Sequence, residues 1–354
     1  MCSNMQSPSH RARRSCRTLA LILSWLAVTP HIAAETYTVY AKEYQHVFSS
    51  RKEPLLRIKS ADTVITRTVD SSGRDYTGAA LSGIGNPLTG PFYIEGAEPG
   101  DSISVHLDKL RLNRDWGYSS YRLSPGVLKP GSAERLYKNE YKKDAVLPGR
   151  SDLIPWDLDL TRSVANPRGL ANAGRPFDLP VKPMLGCIGV ATPGETVLTS
   201  GPAGPHGGNM DYNDVTEGAT LYFTVYQKGA YLYVGDGHAL QGDGEGLGSG
   251  VETSLDVQFT IGLAKGKTLS NPRLVNGKYL ISIAAQPEFS SSMDEALRNA
   301  NSDMLQWLTS EYKLSEPAAH MLMGMAVEHK IATYFGTIAA LMPRKYLEPA
   351  PPAR

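Results

Sequence analysis

Glycine and proline, 34 and 24 of them in 354 residues, cut this chain into short runs. Inside those runs apolar and polar residues alternate, as the side chains of an extended strand alternate between two faces. From Glu35 to about Leu112 the stretches Pro54–Ile58, Thr63–Val69 and Ser102–Leu107 read as strands, and Pro87–Pro91 reads as a turn leading into Phe92–Ile94. Residues 113–180 carry many Arg, Lys, Tyr and Pro with little periodicity, and read as long loops with short strands. From Val181 onward strands return at Ala219–Val225, Tyr231–Val234, Ser254–Ile261 and Tyr279–Ile283. Apolar spacing of three and four then predicts two helices, over Met293–Leu308 and Pro317–Leu341, with Ser292 as a cap and Pro317 near the second start.

The fold expected is mainly β. A β-sandwich or barrel-like N-terminal part over residues 35–180 precedes a glycine-rich, β-rich α+β part over 181–354 that carries both helices. A chain of this length exceeds the usual single domain, which supports the division.

Residues 1–34 stand apart. Arg11, Arg13, Arg14 and Arg17 precede the short apolar run Leu19–Val28, and Ala33 and Ala34 follow. That order of basic, apolar and small residues is a secretory signal peptide, and the run is shorter than the ~20 residues a spanning helix needs. Arg13-Arg14 hints at the twin-arginine route. The protein is therefore expected in the periplasm or secreted, with no membrane span after removal of the signal. Removing four arginines from 36 basic residues leaves 32 against 35 acidic ones, so no basic surface is left for nucleic acid. Cys2 and Cys16 leave as well, and Cys187 alone cannot form an internal disulfide.

Two windows carry the candidate chemistry. Gly201–Asp214 holds His206, Asp211 and Asp214; Gly235–Glu245, about one hairpin later, holds Asp236, His238, Asp243 and Glu245. A Gly-Asp-Gly run alone commonly marks a turn, and a lone His commonly packs in a core. Two such windows flanking one hairpin point instead to a site. Imidazole with carboxylates suits zinc or another borderline divalent ion. Asp236 and His238 are two apart, so on a strand they point to one side, and Glu245 can return after a Gly turn to act as a general base on water. The chain lacks P-loop spacing, a dinucleotide fingerprint, an EF-hand loop and a Gly-x-Ser-x-Gly elbow. Cys187, among apolar neighbours, is the one rival nucleophile.

These windows, with Pro183–Val190, Asn86–Pro91 and Glu95–Asp101, resemble the acetamidase/formamidase family, and the resemblance runs from about Tyr37 to Leu341. It implies hydrolysis of non-peptide C–N bonds in small linear amides such as formamide and acetamide. It also implies a divalent metal, zinc with calcium as an alternative, and a homo-oligomer. His206, Asp211, Asp236, His238, Asp243 and Glu245 occupy family motif positions, and Asp70 ends a strand where the family has an acid. The assignment that follows puts Asp236, His238, Asp211 and Asp70 on the metal, with Glu245, Asp243 and His206 in catalytic roles. The signal segment departs from the intracellular setting the family implies. Two readings stay open beside the metal amidase: a cysteine-dependent amidase using Cys187, and a non-catalytic exported protein that binds a ligand with the same fold.

Overall fold

The long run expected at Ser254–Ile261 lies in the strand Leu255–Ala264, where buried and half-buried residues alternate. It pairs antiparallel with Thr63–Arg67 on one side and Ser102–Leu112 on the other. The computed structural model describes residues 34–132, 146–170, 172–286 and 292–347. All of the proposed signal segment except Ala34 lies outside them.

Nine strands form one sheet in the order Thr36–Thr38, Thr63–Arg67, Leu255–Ala264, Ser102–Leu112, Thr220–Thr224, Arg273–Val275, Tyr279–Ala284, Thr337–Pro343, Glu328–Thr333. A second sheet of eleven strands has Trp116–Ser120, Glu252–Thr253, Leu232–His238, Met184–Gly189 and Gly207–Asn209 as neighbours near its centre. Each sheet takes strands from both sides of residue 180, so the two expected regions share both sheets. One core joins them: Val64, Val105, Phe223 and Phe259 of the first sheet pack with Phe92, Leu185, Ile188 and Val234 of the second. Phe92 meets Phe259 edge-on at 5.2 Å. Each such side chain contributes roughly 1.5–3 kcal/mol by leaving water. The mainly β architecture is as expected.

Among the described residues, two helices lie in the C-terminal region. The first, α1, runs Met293–Ser310, with the Ser292 side chain accepting from the Glu295 amide. The second, α2, runs Glu316–Ala326, with Pro317 in its first turn. Leu280 and Met342 of the nine-stranded sheet pack with Met304, Trp307 and Leu308 of α1. Arg273 donates to Asp303 of α1 through its Nε at 2.9 Å, both side chains being buried.

Two expectations are corrected. The second helix does not reach Leu341: it stops at Ala326, and Glu328–Thr333 and Thr337–Pro343 form a hairpin. Every residue of Thr337–Pro343 is buried, so this strand is apolar on both faces and loses the alternation that marks a half-exposed one. Gly336, at φ +105°, makes the turn. Likewise no turn spans Pro87–Pro91: Pro87 precedes the strand Leu88–Ile94, and Leu88–Pro91 open it. The partner strand shifts register between Leu232 and Val234 opposite Gly90 and Pro91, which accommodates a residue without an amide donor.

Candidate active site

Asp236 and His238 end the strand Leu232–His238 and are buried together. Across the next strand, Glu252 is the direct partner of His238. Asp211 follows the strand Gly207–Asn209, and Glu245 lies on the loop beyond His238. Glycine makes the assembly possible. A Cβ on Gly186 would lie 2.4 Å from Asp211 Oδ1 and 2.7 Å from Asp236 Oδ2, and one on Gly250 would lie 2.5 Å from His238 Nδ1. Asp211, Asp236 and Glu245 all adopt positive φ, between 44° and 56°, and left-handed backbone at non-glycine residues concentrates where function demands it.

Hydrogen bonds fix the orientation of each group. Gln241 Nε2 donates to the Asp211 carbonyl at 2.6 Å, which turns its Oε1 toward His238 Nδ1 at 2.9 Å. The network thus assigns the His238 proton to Nδ1. Its Nε2 is left facing Glu252 Oε1 at 3.1 Å and Asp236 Oδ1 at 3.5 Å. Asn86 donates to Asn209 Oδ1 at 2.9 Å, and Asn209 donates to Asp211 Oδ2 at 2.6 Å. Three carboxylate oxygens, Asp211 Oδ1, Asp236 Oδ1 and Glu252 Oε2, are buried with no donor.

The electrostatics follow from crowding like charges away from water. Burial, then Glu245 and Asp236, pushes Asp211 well above the usual carboxylate range. Burial raises Glu252, with His238 opposing. Burial pushes Glu245 up to about 8, again against His238. For His238, burial favours the neutral ring, but Glu252 and Asp236 outweigh it and hold the group well above its ordinary value.

Ligand atoms of Asp211, His238 and Glu245 lie within 4.8 Å of one another, as do those of Asp236, His238 and Glu252. Four buried carboxyls crowd around one imidazole, and burial drives three of them, Asp211, Glu245 and Glu252, toward the neutral form unless a positive charge is held among them. The orphaned oxygens and the donor types fit a divalent cation of the zinc or calcium kind.

Other expected site residues lie elsewhere. His206 is buried edge-on against Phe48 at 4.9 Å, and burial lowers it to about 4. Its ring belongs to the core and to neither donor group. The Asp243 side chain is 54% exposed and accepts from Asn213 at 2.8 Å. Asp70 is buried, but its Oδ2 is taken by Arg114 at 2.8 Å and its Oδ1 by the Ser72 and Arg74 amides. There it balances a buried guanidinium. Cys187 is fully buried with its Sγ 3.6 Å from the Ser200 carbonyl, and burial raises the thiol well above its usual value. Such a thiol is a poor nucleophile. Glu252, by contrast, escaped sequence reasoning. Its place beside His238 comes from strand pairing: it lies in the short strand Glu252–Thr253, within the polar run Glu252-Thr253-Ser254 that gives no local sign of a site.

The cluster opens into a cleft of about 500 Å³. A mainly β protein with a buried carboxylate–imidazole cluster on a cleft belongs, by its chemistry, among proteins that bind cations or move protons. Residues 189–338 match the model of the Acetamidase/Formamidase family, a range that holds every member of the cluster. The chain is 29% identical over 219 residues to a formamidase of Methylophilus methylotrophus, covering 50% of this chain and 51% of that protein. The chain thus spans about half the length of that relative. Among solved structures it resembles a recombinant predicted acetamidase/formamidase from the thermophile Thermoanaerobacter tengcongensis, with TM-score 0.70, 29% identity, and coverage of 89% of this chain and 98% of that one. An acetamidase from Bacillus halodurans is similar at TM-score 0.70 and 27% identity, over 88% of this chain and 98% of that one.

Proposed function

We propose that the protein hydrolyses linear amides, formamide and acetamide being the simplest, to a carboxylate and ammonia. The observation that carries the reading is the set of orphaned, buried carboxylate oxygens around His238 Nε2, in a chain whose relatives are named formamidase and acetamidase.

In this reading His238 Nε2, Asp211, Asp236 and Glu252 hold a divalent cation, zinc or calcium. When bound, such an ion supplies Lewis acidity toward the amide carbonyl and lowers the pKa of a coordinated water toward ~7. Glu245 does the proton work. Its carboxyl lies within 4.8 Å of the ligand atoms of Asp211 and His238, in reach of a water held at the cation, where a carboxylate can act as general base. It accepts the proton of the attacking water and delivers one to the departing nitrogen, giving the carboxylate and ammonia. Gln241 keeps the imidazole lone pair on the cation side, and the Asn86–Asn209 chain keeps Asp211 Oδ1 free. The order of residues in 1–34 supports placing this activity outside the cytoplasm.

The test is ammonia release from formamide and acetamide by the purified protein. Glu245→Gln lowers kcat by about 10²–10⁴-fold with the circular dichroism spectrum unchanged. Undiminished turnover in that variant removes Glu245 from the mechanism, and failure to release ammonia from any short amide restores the ligand-binding alternative.

A further inference from the structure

The cleft is far larger than the smallest amides require. At about 500 Å³ it has room for roughly 17 water molecules at ~30 Å³ each, whereas acetamide has only a handful of heavy atoms. Clefts of roughly 300–1,000 Å³ take ligands of drug size.

Its walls beyond the acid cluster are apolar where they are unengaged. Leu153 and Tyr118 line it as buried residues, Ile84 contributes from the bend before Gly85, and Phe335 from the tip of the hairpin Glu328–Pro343. Ile84 is 64% exposed and Phe335 53%, large apolar surfaces held at a site entrance. The Phe335 ring lies against that of Tyr334 in a tilted contact at 4.1 Å. The polar lining is largely committed to the protein itself. Tyr118 donates to Ser72 at 2.7 Å, the Ser120 amide donates to Ser249 at 2.9 Å, and Asn86 is held by Asn209. Arg150, the cation in the described lining, is bidentate to Asp152 at 2.7 Å through Nε and one terminal nitrogen, so much of its charge is already offset.

We infer that the substrate is a primary amide whose acyl part is bulky, apolar and uncharged, of the size of a phenylacetyl or longer alkyl group, with Ile84, Leu153 and Phe335 as its contact surface. The inference rests on the amide-hydrolase reading above. The reactive carboxamide lies at the Asp211–Glu252 cluster, and the acyl chain extends along the cleft toward the hairpin tip. Each methylene removed from water there raises kcat/KM by about three- to fourfold, provided the contact is made in the transition state.

A series of formamide, acetamide, hexanamide, phenylacetamide and succinamate, assayed by ammonia release, tests the assignment. Expected is a rise in kcat/KM of at least tenfold from acetamide to phenylacetamide, with succinamate below hexanamide. In Phe335→Ala, whose parent side chain is mostly exposed, the phenylacetamide-to-acetamide ratio of kcat/KM falls about fivefold. Highest kcat/KM on formamide, with a steady decline as the acyl group grows, overturns the inference while leaving amide hydrolysis standing. An unchanged ratio in Phe335→Ala removes the hairpin tip from the contact surface. No turnover of any member overturns the hydrolase reading itself.

Discussion

Gln241 determines what His238 can do. Its amide donates to the Asp211 carbonyl at one end and accepts from the imidazole Nδ1 at the other, so Nε2 is directed to the carboxylate side. Groups that orient a metal-ligating imidazole commonly contribute 10–100-fold to affinity or activity. Gln241→Leu is therefore expected to lower the affinity for the cation about 10–100-fold, read by competition with a chromophoric chelator on the folded protein. Unaltered affinity would show that the ring holds its orientation without the amide. The residue scale is also where sequence reasoning fell short. Asp236 and His238 were legible because a spacing of two on a strand puts them on one face, and Glu245 because a glycine turn returns it. Glu252 was not, since its role depends on pairing with His238 from a strand of its own. His206 and Asp243 shared the motif but not the cluster: the first packs in the core against Phe48 and the second faces solvent.

Elements show the same division. Where one face of a strand meets the core and the other water, alternation survives in the sequence, and Thr63–Arg67 and Leu255–Ala264 were found by it. Thr337–Pro343 is buried on both faces, so its continuous apolar run carried the spacing of a helix as well as of a strand. The helix α1 covers this region and is pinned by Asp303, which receives Arg273 at 2.9 Å and 3.0 Å in a buried pair. Without Asp303, Arg273 keeps only its bond to the partly buried Glu311 at 2.9 Å. Asp303→Ala is expected to cost about 1.5–3 kcal/mol in urea unfolding, the worth of a hydrogen bond to a charged group. A loss below about 1 kcal/mol, the range of an exposed pair, would mean that α1 is held by its apolar face alone.

At the scale of the whole molecule, both sheets close on one core and bring the two glycine-rich windows to one cleft. Burying His206 in that core makes stability depend on acid. The group sits at about 4 in the fold, below its ordinary value near 6.5 in the unfolded chain. The unfolded chain thus binds a proton that the native one refuses between these values. Stability is fully present above pH 6.5 and falls as pH drops from 6.5 toward 4, by about 3 kcal/mol. In urea titrations across that window the native protein should lose about 3 kcal/mol more than His206→Asn does. Equal losses would place the acid sensitivity elsewhere.

The account depends most on the cluster being a cation site that performs hydrolysis. Elemental analysis of the purified protein, with ammonia release measured on the same sample, tests this most directly. The expected result is about one or more equivalents of zinc or calcium per chain, lost together with ammonia release in a folded His238→Ala variant. Ammonia release that persists in protein carrying less than about a tenth of an equivalent of any divalent metal would contradict it.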